Sequence, residues 1–249
     1  MEDTVRSGTQ IKICGITTEE EIAYLNEVKV AYAGFVFYEK SKRNISVMDA
    51  KQISKKLNQN IQKVAVTVAP DLELIRQIEE AGFDILQIHG TFDETLLQKV
   101  QIPIWRAVNL KGMDELSTWR ETELRRWCEQ RGNQGILFDA GDYGSGKTFG
   151  WGVEDQTLEY ENVGWQTALL DFQKELTARG IVFVLAGGLN PENVAEGIQI
   201  FSPDVVDVSS GVEEIVAGQR GKSRERIRAF VEAVKRAERK EIESEKEYE

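Results

Sequence analysis

The chain has 249 residues, with 31 Lys and Arg against 42 Asp and Glu, for a net charge of −11. That length fits one large domain, an α/β barrel included, or two small ones, and the acidity speaks against broad binding to nucleic acid or to a membrane surface. A small anionic ligand remains open, because it responds to local charge rather than to the total.

Hydrophobic residues make up 41% and charged residues 29%, the composition of an ordinary globular chain that needs no staples. No apolar run approaches the roughly 18 residues of a membrane span. The opening MEDTVRSGTQ is polar and lacks an apolar signal core, which predicts a cytoplasmic protein. Cys14 and Cys128 make no disulfide framework, and the single histidine, His89, argues against a His-based metal site.

Eight short aliphatic or β-branched runs follow one another: Gln10–Cys14, Tyr32–Phe37, Lys63–Val68, Asp84–His89, Ile104–Val108, Gly135–Asp139, Ile181–Ala186 and Val205–Val208. Runs of this kind read as strands buried on both faces of a parallel sheet. Helical signals lie between them. Capping-box patterns stand at Thr17-Thr18-Glu19-Glu20 and Thr91-Phe92-Asp93-Glu94, after the first and fourth strands. Ser46 caps a helix carrying Ala50, Ile53 and Leu57, and Asp71 one carrying Leu74, Ile75 and Ile78. Leu116, Trp119, Leu124 and Trp127 form a stripe at helical spacing, with Cys128 reading as structural beside it. Asn190-Pro191 places a cap before a first-turn Pro, and Ile227, Phe230, Val231 and Val234 mark the last helix.

Eight alternating strand–helix units predict a single (β/α)8 TIM barrel, with a doubly wound open sheet as the rival. The expected boundaries are a polar extension over residues 1–9, the barrel over 10–238, and a charged, solvated tail over 239–249. The connection after the sixth strand is long and Gly-rich, a length that usually signals function or disorder.

In such a barrel the C-terminal strand ends carry the chemistry. Cys14 ends the first strand. A free cysteine is more often a small buried apolar residue, but this position favours a base or nucleophile. Asp139 ends the sixth strand after Ile136-Leu137-Phe138, where desolvation suits a general acid. Arg43 is a candidate clamp for a carboxylate or phosphate. His89 reads as a hydrogen-bonded structural residue. Gly187 and Gly188 after the seventh strand, with Ser209, Ser210 and Gly211 after the eighth, stand where barrels bind phosphate. The rival signal is Gly141–Thr148, which matches the P-loop pattern and would bind a nucleotide with Mg²⁺; the following Phe149-Gly150-Trp151-Gly152 opposes the helix a P-loop needs.

Strand alternation gives one more expectation. If Cys14 faces inward, so does Lys12; on the eighth strand Asp207 and Ser209 face inward too. The first and eighth strands adjoin in a closed barrel, so Lys12 and Asp207 are expected to pair, and Lys12 to favour the Cys14 thiolate.

Taken together, seven ordered segments resemble the phosphoribosylanthranilate isomerases of tryptophan biosynthesis. They are Lys12-Ile13-Cys14-Gly15-Ile16-Thr17; Gly34-Phe35-Val36-Phe37-Tyr38 with Ser41-Lys42-Arg43; Leu86-Gln87-Ile88-His89-Gly90; Leu137-Phe138-Asp139-Ala140; Gly144-Ser145-Gly146-Lys147-Thr148-Phe149; Leu185-Ala186-Gly187-Gly188-Leu189; and Val206-Asp207-Val208-Ser209-Ser210-Gly211-Val212-Glu213. The resemblance implies an Amadori rearrangement of N-(5-phosphoribosyl)anthranilate without a cofactor. It implies Asp139 as general acid, Cys14 as general base, and Arg43 on the anthranilate carboxylate. Asp207, with Gly187, Gly188, Ser209, Ser210 and Gly211, completes the substrate-binding set. The implied partner is a phosphorylated small molecule, with no nucleic acid and no membrane, and the implied assembly is a monomer or homodimer. A phosphosugar-binding barrel of another specificity is the remaining alternative.

Overall fold

The computed structural model describes residues 8–91, 93–109, 127, 133–139, 159–216 and 218–247. Strands β1 (Gln10–Cys14), β2 (Tyr32–Phe37), β3 (Gln62–Val68), β4 (Ile85–His89), β5 (Ile104–Asn109), β6 (Asn133–Asp139), β7 (Val182–Ala186) and β8 (Val205–Val208) close into one parallel barrel. β1 pairs with β8 in parallel, so the sheet has no edge and the open-sheet alternative is ruled out. Strand positions agree with the sequence expectation to within two residues. Every residue of β2 and of β4 is buried, as strands lying between a filled interior and a helical layer require.

Among the described residues the helices are α1 (Glu19–Asn26), α2 (Val47–Ser54), α3 (Leu72–Glu80), α4 (Glu159–Ala178), α5 (Val194–Phe201) and α6 (Arg224–Glu247). Ser46 and Asp71 cap α2 and α3 as expected, accepting from the backbone N–H groups of Asp49 and Leu74. The first capping box is shifted by one residue. Thr18 and Glu21 form it, because the Glu21 carboxylate also collects the backbone N–H of Thr17. After β4 the expected α-helix is replaced by a 3-10 turn over Glu94–Lys99 capped by Asp93. Asn190-Pro191 opens a turn rather than a helix. The Asn190 side chain accepts from the backbone N–H groups of Glu192 and Asn193, so α5 starts only at Val194. α6 continues to Glu247, through most of the segment read as a tail. Cys128, the Leu116–Leu124 stripe and the Gly141–Thr148 motif lie outside the described residues; Trp127 is described, and it is buried.

Two apolar clusters follow from strand alternation. Outward-facing Ile13, Phe35, Phe138 and Phe183 pack against helical residues such as Ile22, Phe172 and Phe230. Inside, Tyr32, Val64, Ile85, Trp105, Leu137 and Val205 fill the barrel. Tyr32 and Trp105 meet edge to face at 4.9 Å. Trp105 fits because its register partner is Gly135, where a Cβ would lie 2.6 Å from the indole Cδ1. This apolar plug closes one end of the barrel and leaves the polar inward residues at the other. One pair of strands has no counterpart in the sequence reading: β9 (Glu213–Val216) and β10 (Gln219–Lys222) form an antiparallel hairpin between β8 and α6.

Candidate active site

Lys12 and Asp207 stand directly opposite in the β1–β8 register, and Lys12 Nζ lies 2.6 Å from Asp207 Oδ2. The expected ion pair is therefore present. Lys12 is wholly buried and Asp207 is 8% exposed. Burial opposes the charge on Lys12, but Asp207 and Cys14 beside it outweigh burial and raise its pKa. Asp207 Oδ1 has no hydrogen-bond partner among the described residues, and Asp207 lines the cavity at the barrel mouth.

Cys14 is buried two residues after Lys12, on the same inward face of β1 and close enough for the ammonium to act on its thiol. Gly34 on β2 makes room for this pair: a Cβ there would lie 3.0 Å from Cys14 Sγ and 3.2 Å from Lys12 Nζ. Lys12 favours the thiolate, as expected, but burial outweighs it. Burial pushes the Cys14 thiol up; Lys12 and Lys222 draw it down only in part, and Asp207 adds to the rise.

Arg43, in the loop after β2, forms a two-point pair with Glu213, Nε to Oε1 at 2.5 Å and Nη2 to Oε2 at 2.8 Å. Lys222 Nζ reaches the same carboxylate at 2.8 Å and Arg220 Nη1 at 3.3 Å. Burial works against the Glu213 charge, yet Arg43 and Lys222 prevail and hold the carboxyl down to about 2. Lys222 also donates to the backbone carbonyl of Ser209, whose hydroxyl donates to the carbonyl of Cys14. Sequence reading missed Lys222 and the pairing role of Glu213.

A cavity of about 630 Å³ opens at the C-terminal strand ends. Cys14, Arg43, Asp139, Gly187, Gly188, Asp207, Ser209 and Ser210 all line it, on five separate strands or the loops that follow them. Asp139 is half-buried, at the end of β6. Gly187 and Gly188 have φ of +90° and +63°, which turn the chain sharply after β7. Gly211 alone of the expected residues is not at the cavity surface. It lets the loops after β7 and β8 touch, since a Cβ there would fall 1.9 Å from the carbonyl oxygen of Leu189. Lys40, Lys42 and Arg220 join Arg43 around the mouth, so its rim is cationic on a chain of net charge −11. His89 also faces the cavity, 2.7 Å from Gln87 Nε2. Burial, with Lys12 and Arg106 nearby, lowers its pKa to about 3, so the ring is neutral. Among the described residues no three His, Cys, Asp or Glu side chains gather as a metal site, and no helix is long and apolar enough to cross a membrane.

Residues 11–233 match the family model of N-(5'-phosphoribosyl)anthranilate (PRA) isomerase. The chain belongs to the PRA isomerase family. A PRA isomerase from Streptococcus mutans is 37% identical over 229 residues, covering 92% of this chain and all of the relative. The crystal structure of the Thermotoga maritima PRA isomerase superposes with a TM-score of 0.70 at 33% identity, covering 91% of this chain and 98% of the other. A PRA isomerase crystallised with reduced 1-(o-carboxyphenylamino)-1-deoxyribulose 5-phosphate gives a TM-score of 0.68 at 31% identity, with the same coverage. The chain is thus a TIM-barrel isomerase of tryptophan biosynthesis.

Proposed function

We propose that this cavity isomerises N-(5'-phosphoribosyl)anthranilate by acid–base catalysis between Asp139 and Cys14. The observation that carries the reading is one cavity lined by both residues, with Arg43 on one side and the β7 and β8 loops on another. Asp139 protonates the furanose ring oxygen, the bond from that oxygen to C1' breaks, and the nitrogen lone pair forms the protonated Schiff base. Cys14 as thiolate removes the C2' proton, and the electron pair flows to nitrogen to give an enolamine, which tautomerises to the 1-amino-ketose. The Lys12 ammonium compensates the thiolate charge in a buried setting where water cannot. Arg43 receives the anthranilate carboxylate. Backbone N–H groups of Gly187, Gly188 and Ser210 receive the phosphate, and Asp207 Oδ1 accepts from a sugar hydroxyl. The occupant is a phosphorylated small molecule, and its chemistry needs no cofactor. A biosynthetic role on such a metabolite supports a cytoplasmic enzyme, as monomer or homodimer.

The test makes the unstable substrate in place from anthranilate and phosphoribosyl pyrophosphate with a separate transferase, and follows the decay of its fluorescence. Wild type should consume it rapidly, and Cys14→Ala and Asp139→Asn should each lose about 10²- to 10⁴-fold. Folded variants that retain near wild-type rates would overturn the assigned roles.

A further inference from the structure

Arg43 is fixed from three directions. Its backbone N–H donates to Ser41 Oγ at 3.1 Å. Its stem crosses Gly15, where φ is +84° and a Cβ would lie 2.4 Å from Arg43 Cδ. Its Nε and Nη2 donate to the two oxygens of Glu213. A guanidinium is a planar fork with more than one edge, and this pair uses the Nε/Nη2 edge. The Nη1/Nη2 edge is the second fork in the same plane, on a residue that lines the cavity.

Glu213 does not compete with a substrate for Arg43, because it cannot easily leave. Lys222 holds Oε1 and Arg220 holds Oε2, and the Lys222 side chain is 1% exposed. The buried ammonium in turn needs Glu213 as its partner. The backbone N–H of Lys222 donates to the buried Glu21 carboxylate, which is tied into the cap of α1. The hairpin β9–β10 is therefore anchored beneath the site and presents Glu213 at a fixed place.

We propose that Glu213, held by Lys222, is a positioning residue that sets the guanidinium plane of Arg43 so that its second edge donates to an aryl carboxylate, making the site selective for carboxylated over plain arylamine sugars. This rests on the reading that Arg43 receives the substrate carboxylate.

Two stable probes separate the claims: reduced 1-(o-carboxyphenylamino)-1-deoxyribulose 5-phosphate and the same molecule without the carboxyl group. Calorimetry compares them on wild type, Arg43→Ala, Glu213→Gln and the double variant Glu213→Gln/Lys222→Met, which removes both buried charges together should the single change not fold. Wild type should prefer the carboxylated probe by about 10- to 100-fold, the range for hydrogen bonds to a charged group. Arg43→Ala should lose that preference. Glu213→Gln, or the double variant, should cut it about fivefold or more while binding the decarboxylated probe within about twofold of wild type. If Arg43→Ala loses the preference and the Glu213 variants keep it, the proposal is overturned while the role of Arg43 stands. If the Glu213 variants weaken both probes equally, Glu213 acts on the whole site and the proposal is again overturned. If wild type shows no preference, the reading of Arg43 fails and the proposal falls with it.

Discussion

His89 is the chain's single histidine, and its neutral state ties stability to pH in a window of its own. An exposed imidazole titrates near 6.5, whereas burial beside Lys12 and Arg106 drops His89 to about 3. The unfolded chain thus takes up a proton on acidification that the folded chain refuses. Stability conferred by the neutral ring is present above pH 6.5 and is lost as pH falls from 6.5 toward 3, at about 1.4 kcal/mol per pH unit for one proton. Carboxylates such as Glu213 begin to contribute only near and below 4.5, their ordinary value. Urea unfolding at pH 7 and pH 5 should therefore differ by about 2 kcal/mol. His89→Asn should flatten that difference, and an unchanged slope in the variant would show that another group carries it. The physical content of β4 is then clear: Gln87 and His89 face inward as neutral polar residues beside a cationic mouth, where a charged histidine would add repulsion.

Elements differ in how far they were legible. The eight barrel strands were legible because each is largely buried on both faces, so it reads as a short run rich in aliphatic residues whatever its partners. Ser46 and Asp71 were legible because a cap is satisfied within three residues. Asn190 misled because its side chain has two local uses, cap and turn, and contacts decide between them. The β9–β10 hairpin was illegible because its meaning lies in distant partners. Glu213 reads as an ordinary surface acid until barrel closure brings Arg43, 170 positions earlier, against it. Lys12 and Asp207 were readable across a similar distance because strand parity and barrel closure fix their alignment. Gly211 offers a test at this scale. Gly211→Ala drives a Cβ into the Leu189 carbonyl, so the loops after β7 and β8 must separate. KM should rise about tenfold or more, with a smaller change in kcat, if those loops hold the phosphate. Gly180→Ala is the control: φ there is +69° but nothing lies within 4 Å of the added Cβ, so it should cost about 1 kcal/mol of stability and leave KM unchanged. Equal KM values for the two variants would place the phosphate elsewhere.

At the scale of the whole molecule, the β1–β8 seam closes the barrel, and a buried ion pair sits within it. Such a pair is poor value for stability alone, since two charges are desolvated and their attraction returns only part of that cost. An apolar pair would close the seam as well. Lys12→Met should destabilise the fold by about 3–5 kcal/mol in urea titrations, because Asp207 is left buried without its ammonium. Lys12→Met/Asp207→Leu should recover most of that loss and match or exceed wild type. Its activity should stay near background, because Cys14 has lost the ammonium that draws its thiol down, while burial still pushes it up, and the substrate has lost the Asp207 carboxylate. Stability regained without activity would mean that the pair is there for the chemistry at the mouth, with barrel closure left to the apolar residues around it. A single variant costing less than about 1 kcal/mol would instead describe a pair screened by water, as exposed pairs are. That outcome would remove the physical basis for a compensated thiolate at Cys14, because an ammonium screened from Asp207 would be screened from the cysteine as well.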